Sequence, residues 1–224
     1  MVSPGRLYIV ATPIGNARDI TLRALDILRS ADAIICEEWR QGSTLLKKLD
    51  IPDKELITLN EHNEQVQVPG IVSRILTENL SLALISDCGT PVFADPGHAL
   101  IRHASEYNIT ITPIPGASSL MAALSLLDFK LEKFIFGGFL PRNSESRRKE
   151  LHHLRKQNMP IILMDTPYRM PKVLENVATH FGKNAQITLA CDLSLRSETI
   201  YRGTIGEISK QAGKRKAEFI LIIH

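Results

Sequence analysis

The chain has 224 residues, 44% hydrophobic and 23% charged, with a net charge of +3; that is enough to bury one large core or two smaller ones. No apolar run reaches the roughly 18 residues of a membrane helix, and the N-terminus shows no basic segment followed by a long apolar stretch and a cleavage site, so neither a membrane span nor a signal peptide is expected. Three widely spaced cysteines, Cys36, Cys88 and Cys191, leave one unpaired in any scheme and point to a reduced, cytoplasmic protein.

Leu7-Tyr8-Ile9-Val10 reads as a first strand, followed by the small-residue loop Ala11-Thr12-Pro13-Ile14-Gly15-Asn16. Asp19 is then the expected N-cap of a helix that buries Leu22, Leu25 and Leu28. Ala33 to Cys36 is a second strand ending in Glu37-Glu38-Trp39-Arg40; a helix over Ser43 to Leu49 leads to Pro52, and Leu56 to Leu59 is a third strand. Glu61-His62-Asn63-Glu64 opens a helical stretch that Pro69 interrupts or restarts.

Leu82-Ala83-Leu84-Ile85 is a fourth strand, and the chain is organised around the loop that it enters: Ser86-Asp87-Cys88-Gly89-Thr90-Pro91, then Asp95-Pro96-Gly97 and a helix with Leu100, Ile101 and Ala104 on one face. A strand that ends in a small-residue turn and feeds a helix exposes backbone N–H groups, and Asp87 at its end can accept hydrogen bonds from ligand hydroxyls. Ile109 to Ile114 is the fifth strand. This β/α alternation predicts an N-terminal, mostly parallel sheet over residues 1–113, with Pro113-Ile114-Pro115-Gly116 as a linker. Ala117-Ser118-Ser119-Leu120 starts a helix whose N-terminus would welcome a polar or anionic group.

Residues 118–224 differ in texture. Lys133 to Phe139, Ile161 to Met164, Gln186 to Cys191, Glu198 to Gly203 and Glu218 to Ile223 read as strands, with helices over the basic stretch and over Pro171 to His180 and a short basic helix before the last strand. These predict a second α/β domain with a mixed, largely antiparallel sheet. Between Pro141 and Lys156, six basic residues against Glu145 and Glu150 leave +4. The basic excess is therefore local and suits phosphate backbones.

The chain contains no phosphate-binding P-loop, no dinucleotide glycine fingerprint and no G-x-S-x-G elbow. His62, His152 and His153 lie in no metal-ligand spacing, so no metal is expected.

Six motifs, in order, resemble the ribosomal RNA small-subunit methyltransferase I family of tetrapyrrole-methylase-like (class III) enzymes. They are Leu7 to Asn16 with Asp19-Ile20-Thr21, Glu61 to Glu64, Ser86 to Pro91 with Asp95 to Gly97, Pro115 to Ser118, Gly138-Phe139-Leu140-Pro141-Arg142 and Arg202-Gly203-Thr204. The resemblance implies two α/β domains with a ligand cleft between them, a homodimer, and S-adenosylmethionine as methyl donor. It also implies methylation of a cytidine ribose 2′-hydroxyl in small-subunit ribosomal RNA, free or in the subunit. By motif, the donor is expected at Ile14, Asp87, Thr90, Ser118, Ser119, Met164 and Ala190, with a residue near Ile222 closing the pocket. Arg142, Arg147, Arg148 and Lys149 are the expected phosphate contacts. A ribose hydroxyl profits from a base, and Glu37, Glu38, Asp165 and Glu198 are the candidates.

Three stretches depart from the family pattern. Glu37-Glu38-Trp39-Arg40 stands where Glu-Asp-Thr-Arg is usual, Asp165-Thr166-Pro167-Tyr168-Arg169 where Glu-Ser-Pro-His-Arg is usual, and Cys191-Asp192-Leu193-Ser194-Leu195 where Arg-Glu-Leu-Thr-Lys is usual. Two other readings therefore stand beside the first: a small-molecule, tetrapyrrole-type methylase, and a diverged protein that holds donor and RNA without transfer.

Overall fold

A computed structural model describes residues 5–51, 54–93 and 95–224. The expected turn at Pro52 and Ala94 of the central loop lie outside the described residues. The chain divides into two compact units, Met1–Ser118 and Ser119–His224. No helix among the described residues is long and apolar enough to cross a membrane.

In the first unit, β1 (Arg6–Val10), β2 (Ala33–Cys36), β3 (Glu55–Thr58), β4 (Ser81–Ile85) and β5 (Thr110–Ile114) form one sheet in the order β3-β2-β4-β1-β5. Every pairing in it is parallel. Alternate side chains serve opposite faces. Leu7, Ile35, Leu82 and Leu84 pack against α3 (Glu64–Thr77) and α4 (His98–Glu106). Val10, Ile34, Cys36, Ala83 and Ile85 pack with residues of α1 (Leu22–Ser30) and α2 (Trp39–Lys48). Each fully buried Leu or Ile contributes about 1.5–3 kcal/mol, and with both faces covered the strands become the continuous apolar runs seen in the sequence.

Three local expectations are corrected. Ala17–Asp19 form a 3₁₀ turn capped by Asn16, so the cap of α1 is Thr21, whose Oγ1 accepts from Ala24 N at 3.1 Å. Of the expected face, Leu28 is buried and Leu25 partly buried, but Leu22 is 80% exposed and Ala24 is buried in its place. The second helix starts at Trp39 rather than Ser43. Pro69 does not break α3, because Pro69 and Gln65 lie on its exposed side, where the carbonyl that proline deprives of a donor is open to solvent.

In the second unit, β6 (Ile135–Gly138), β7 (Ile161–Asp165), β8 (Gln186–Cys191), β9 (Thr199–Thr204) and β10 (Phe219–Ile223) form a sheet ordered β6-β7-β10-β8-β9. β6 and β7 are parallel and the other pairs antiparallel. One face, with Leu163, Leu189 and Leu221, packs against α6 (Ser144–Arg155), α7 (Met170–Phe181) and α8 (Ile205–Ala212). The other, with Ile162, Ala190, Ile220 and Ile222, packs against α5 (Ser119–Leu124). α8 starts at a reciprocal capping box of Thr204 and Glu207.

Candidate functional site

In the first sheet the chain leaves β1 toward β2 on one side and leaves β4 toward β5 on the other, and α1 and α4 cover opposite faces. The carboxyl ends of β1 and β4 therefore flank the point where the winding reverses, the usual position of a ligand crevice in a parallel sheet. The loops there are stitched together. Thr12 N donates to Gly89 O at 2.8 Å, and the buried Thr12 Oγ1 lies 3.1 Å from Ser86 O and 3.3 Å from Gly89 O. Gly89 has φ +84°, a conformation that favours glycine, and a Cβ on it would crowd Ile14 Cγ2 at 3.2 Å. Thr90 Oγ1 donates to Ala117 O at 3.2 Å, which ties in the loop after β5. Ile14, Asp87, Thr90 and Ser118 are thereby gathered at one edge of the sheet.

The same edge is rich in acid. Burial raises the Glu37 carboxyl above its ordinary value, and Asp87, Asp95, Glu61 and Glu38 raise it further. Asp87 is raised chiefly by desolvation, against the backbone N–H of Glu38 and with help from the Glu38 and Asp95 charges. The Cys36 thiol beneath them is pushed up to about 11 by burial and then by Asp87. Such an edge favours cationic or hydroxyl-bearing ligands over anionic ones. No three His, Cys, Asp or Glu side chains among the described residues are grouped to hold a metal ion.

Two residues that lie in the quoted motifs but receive no role from the sequence shape this edge. One is Thr12. The other is Glu64, whose Oε1 accepts the N–H groups of Gly97 and Ala99, both at 3.0 Å, and so caps α4 from α3. Asn60 and Asn63 fold the turn before it: Asn63 Oδ1 accepts from Asn60 N at 2.7 Å and Asn60 Oδ1 from Asn63 N at 3.1 Å. Val92, between Asp87 and Gly97, has φ +73°, a conformation that costs a β-branched residue about 1–3 kcal/mol.

In the second unit Met164 and Ala190 both pair with Ile220 in the sheet and border the apolar cluster under α5. Ile222 is fully buried there. Ser119 opens α5, which is only six residues long and so offers less of a dipole than the sequence suggests.

Asp165 is 3% exposed at the end of β7. Its Oδ1 accepts from Thr166 N at 2.8 Å and lies 3.2 Å from Arg169 Nη1, while Oδ2 is buried without a partner. Burial raises its carboxyl above the ordinary range despite the Thr166 N–H and the charges of Arg169, Arg147 and Arg142. Glu198 is an exposed loop acid whose Oε2 accepts from Ser194 N at 2.8 Å.

Among the expected phosphate contacts, Arg147 is corrected. It is 9% exposed, and its Nη1 donates to Pro141 O at 3.1 Å and Arg142 O at 2.9 Å. It builds the turn before α6 rather than facing solvent. Arg142, Arg148 and Lys149 are exposed, the last paired with Glu145 at 2.8 Å.

Residues 6–209 match the family model described as Tetrapyrrole (Corrin/Porphyrin) Methylases. The chain is 38% identical over 227 residues to the ribosomal RNA small subunit methyltransferase I of Xylella fastidiosa (strain Temecula1), covering 100% of this chain and 82% of that one. It is 36% identical over 225 residues to the protein of that name from Escherichia coli O157:H7, covering 99% and 78%. Among solved structures, diphthine synthase superposes with a TM-score of 0.72 at 15% identity over 98% of this chain and 89% of that one. A cobalt precorrin-4 methyltransferase does so with 0.71 at 17% identity over 97% and 94%. At these identities the structural likeness is one of fold, and the sequence relatives narrow it. The chain belongs to the ribosomal RNA small subunit methyltransferase I family of the tetrapyrrole methylases.

Proposed function

We propose that the chain transfers a methyl group from S-adenosylmethionine to the ribose 2′-hydroxyl of a cytidine in small-subunit ribosomal RNA. The observation that carries this reading is the acid-rich switch-point edge around Asp87 in a chain whose relatives bear the name of that activity. The residues suit the donor. Asp87 accepts hydrogen bonds from hydroxyls, the local negative charge favours a sulfonium, and Gly89 leaves space beside Ile14. Ile14, Asp87, Thr90 and Ser118, gathered at that edge, are the donor contacts of the first unit in this reading.

Bound S-adenosylmethionine would supply an electrophilic methyl group on sulfur; the carbon–sulfur bond breaks as the oxygen–carbon bond forms, a neutral thioether leaves, and the hydroxyl must release its proton. Of the second unit's candidate bases, Asp165 rather than exposed Glu198 is prepared to take that proton: one oxygen is already held in place by Thr166 and Arg169, the other has no partner, and burial makes it more basic. Holding the hydroxyl in line with the methyl group supplies much of the remaining rate. Exposed Arg142, Arg148 and Lys149 meet RNA phosphates. The same reading includes a cytoplasmic homodimer, whose dimeric state sedimentation of the purified protein tests.

The deciding experiment is transfer of labelled methyl to small ribosomal subunits from a strain lacking the corresponding enzyme. Label is expected in the RNA and is expected to disappear with Asp87→Ala. Donor binding without any label would overturn the reading.

A further inference from the structure

One edge of the second sheet collects aromatic and basic side chains from segments far apart in sequence. β6 and β7 run parallel and so end on the same side, and Phe219, which opens β10, pairs with both Asp165 and Cys191. The loops after β6 and β7 and the segment before β10 therefore meet at this edge. Phe139 follows β6 and is 49% exposed, and Tyr168 follows β7 and is 76% exposed. Lys216, before β10, places its Nζ 4.8 Å from the centroid of the Tyr168 ring. Exposed Arg142 lies three residues beyond Phe139.

The arrangement is held rigidly. Arg169 Nη2 donates to Leu140 O at 2.6 Å and Pro141 O at 3.2 Å, clamping the loop of Tyr168 to that of Phe139. Arg147 holds the same turn through Pro141 and Arg142 carbonyls, and Asp165 fixes Arg169 from beneath. β6 also breaks register between Phe136 and Gly138. A Cβ on Gly137 would stand 2.8 Å from Leu163 Cδ2, and Gly138 has φ +57°. A bulge of this kind re-aims the side chain after it. Single exposed aromatics are ordinary. Two of them on clamped loops, one under a lysine and the other three residues from an exposed arginine, form a platform.

We propose that Tyr168 and Phe139 are stacking surfaces for unpaired RNA bases, with Lys216 and Arg142 neutralising the adjoining phosphates. Positive charge selects a polyanion, and exposed rings select a strand whose bases are free of pairing. This deepens the proposed function, because it names single-stranded RNA as the form engaged, and it rests on that reading for the identity of the RNA alone.

The test is the affinity of the full chain for a short unstructured RNA oligonucleotide and for the same strand annealed to its complement, at two salt concentrations. Wild type is expected to prefer the single strand. Tyr168→Ala and Phe139→Ala should each weaken that binding about tenfold, the scale of one lost stacking contact, with little change in its salt dependence. Tyr168→Phe should bind as wild type does, since the ring remains. Lys216→Gln should flatten the salt dependence. Equal affinity for both forms, or wild-type affinity in Tyr168→Ala, would overturn the platform even if methyl transfer is intact. Stacking-dependent binding by a protein that transfers no methyl would leave the platform standing and overturn the enzymatic reading. Failure of wild type to bind either RNA would overturn the proposal.

Discussion

The Glu64 carboxylate accepts the backbone N–H of Gly97 across 33 residues of chain, at 3.0 Å, and through the same oxygen that of Ala99. One acid from the start of α3 thus fixes the end of the loop that begins at Asp87. Loss of a helix cap costs about 0.5–2 kcal/mol. Glu64→Ala should lower stability by about that much in urea titrations and weaken donor binding by calorimetry. Glu64→Gln, which keeps an acceptor oxygen, should do less of both.

Thr12 makes the corresponding connection between the β1 and β4 loops. Thr12→Val preserves shape but leaves the carbonyl oxygens of Ser86 and Gly89 without the hydroxyl now 3.1 and 3.3 Å away. The expected cost is about 1–2 kcal/mol, because the site is buried. Donor affinity should fall while RNA affinity stays at the wild-type level.

Asp165 predicts both a rate and a pH effect. Asp165→Asn should reduce the methyl-transfer rate about 10²- to 10⁴-fold and leave donor binding in place. Burial holds this carboxyl above its ordinary value when folded, so the unfolded chain ionises first as pH rises. The native state therefore loses stability between the ordinary value and the raised one, and the loss is complete above the raised value. Urea midpoints across that window should shift in favour of Asp165→Asn relative to wild type as pH increases. Methyl transfer by wild type should rise over the same window.

Arg147 and Arg148 are neighbours with opposite roles. Arg147→Ala releases two carbonyls from a buried guanidinium and should cost about 2 kcal/mol. Arg148→Ala, exposed on α6, should change stability by less than about 0.5 kcal/mol. It should instead weaken RNA binding evenly across sequences and reduce the salt slope by about one. Urea titration and RNA titration on the two variants separate the roles.

The apolar runs at Leu7 to Val10, Ala33 to Cys36 and Leu82 to Ile85 are enough to announce buried parallel strands, because a strand covered on both faces shows no alternation to obscure. The run Gln186 to Cys191 matches β8 from end to end. Asp87 and Gly89 are legible for a related reason: a strand end followed by small residues is a local signal. What local signals miss is any choice settled by a distant partner. Asp19 reads as the cap until the 3₁₀ turn starting at Ala17 takes it up and leaves Thr21 to cap the helix. Arg147 looks like its neighbours in a basic helix until Pro141 and Arg142 turn their carbonyls toward it. Tyr168 and Lys216 become neighbours only when β10 pairs antiparallel with β7. Hydrophobic periodicity reports which side of an element is buried; the hydrogen-bond partners of a polar group depend on which elements lie side by side, and that is decided when the sheets assemble.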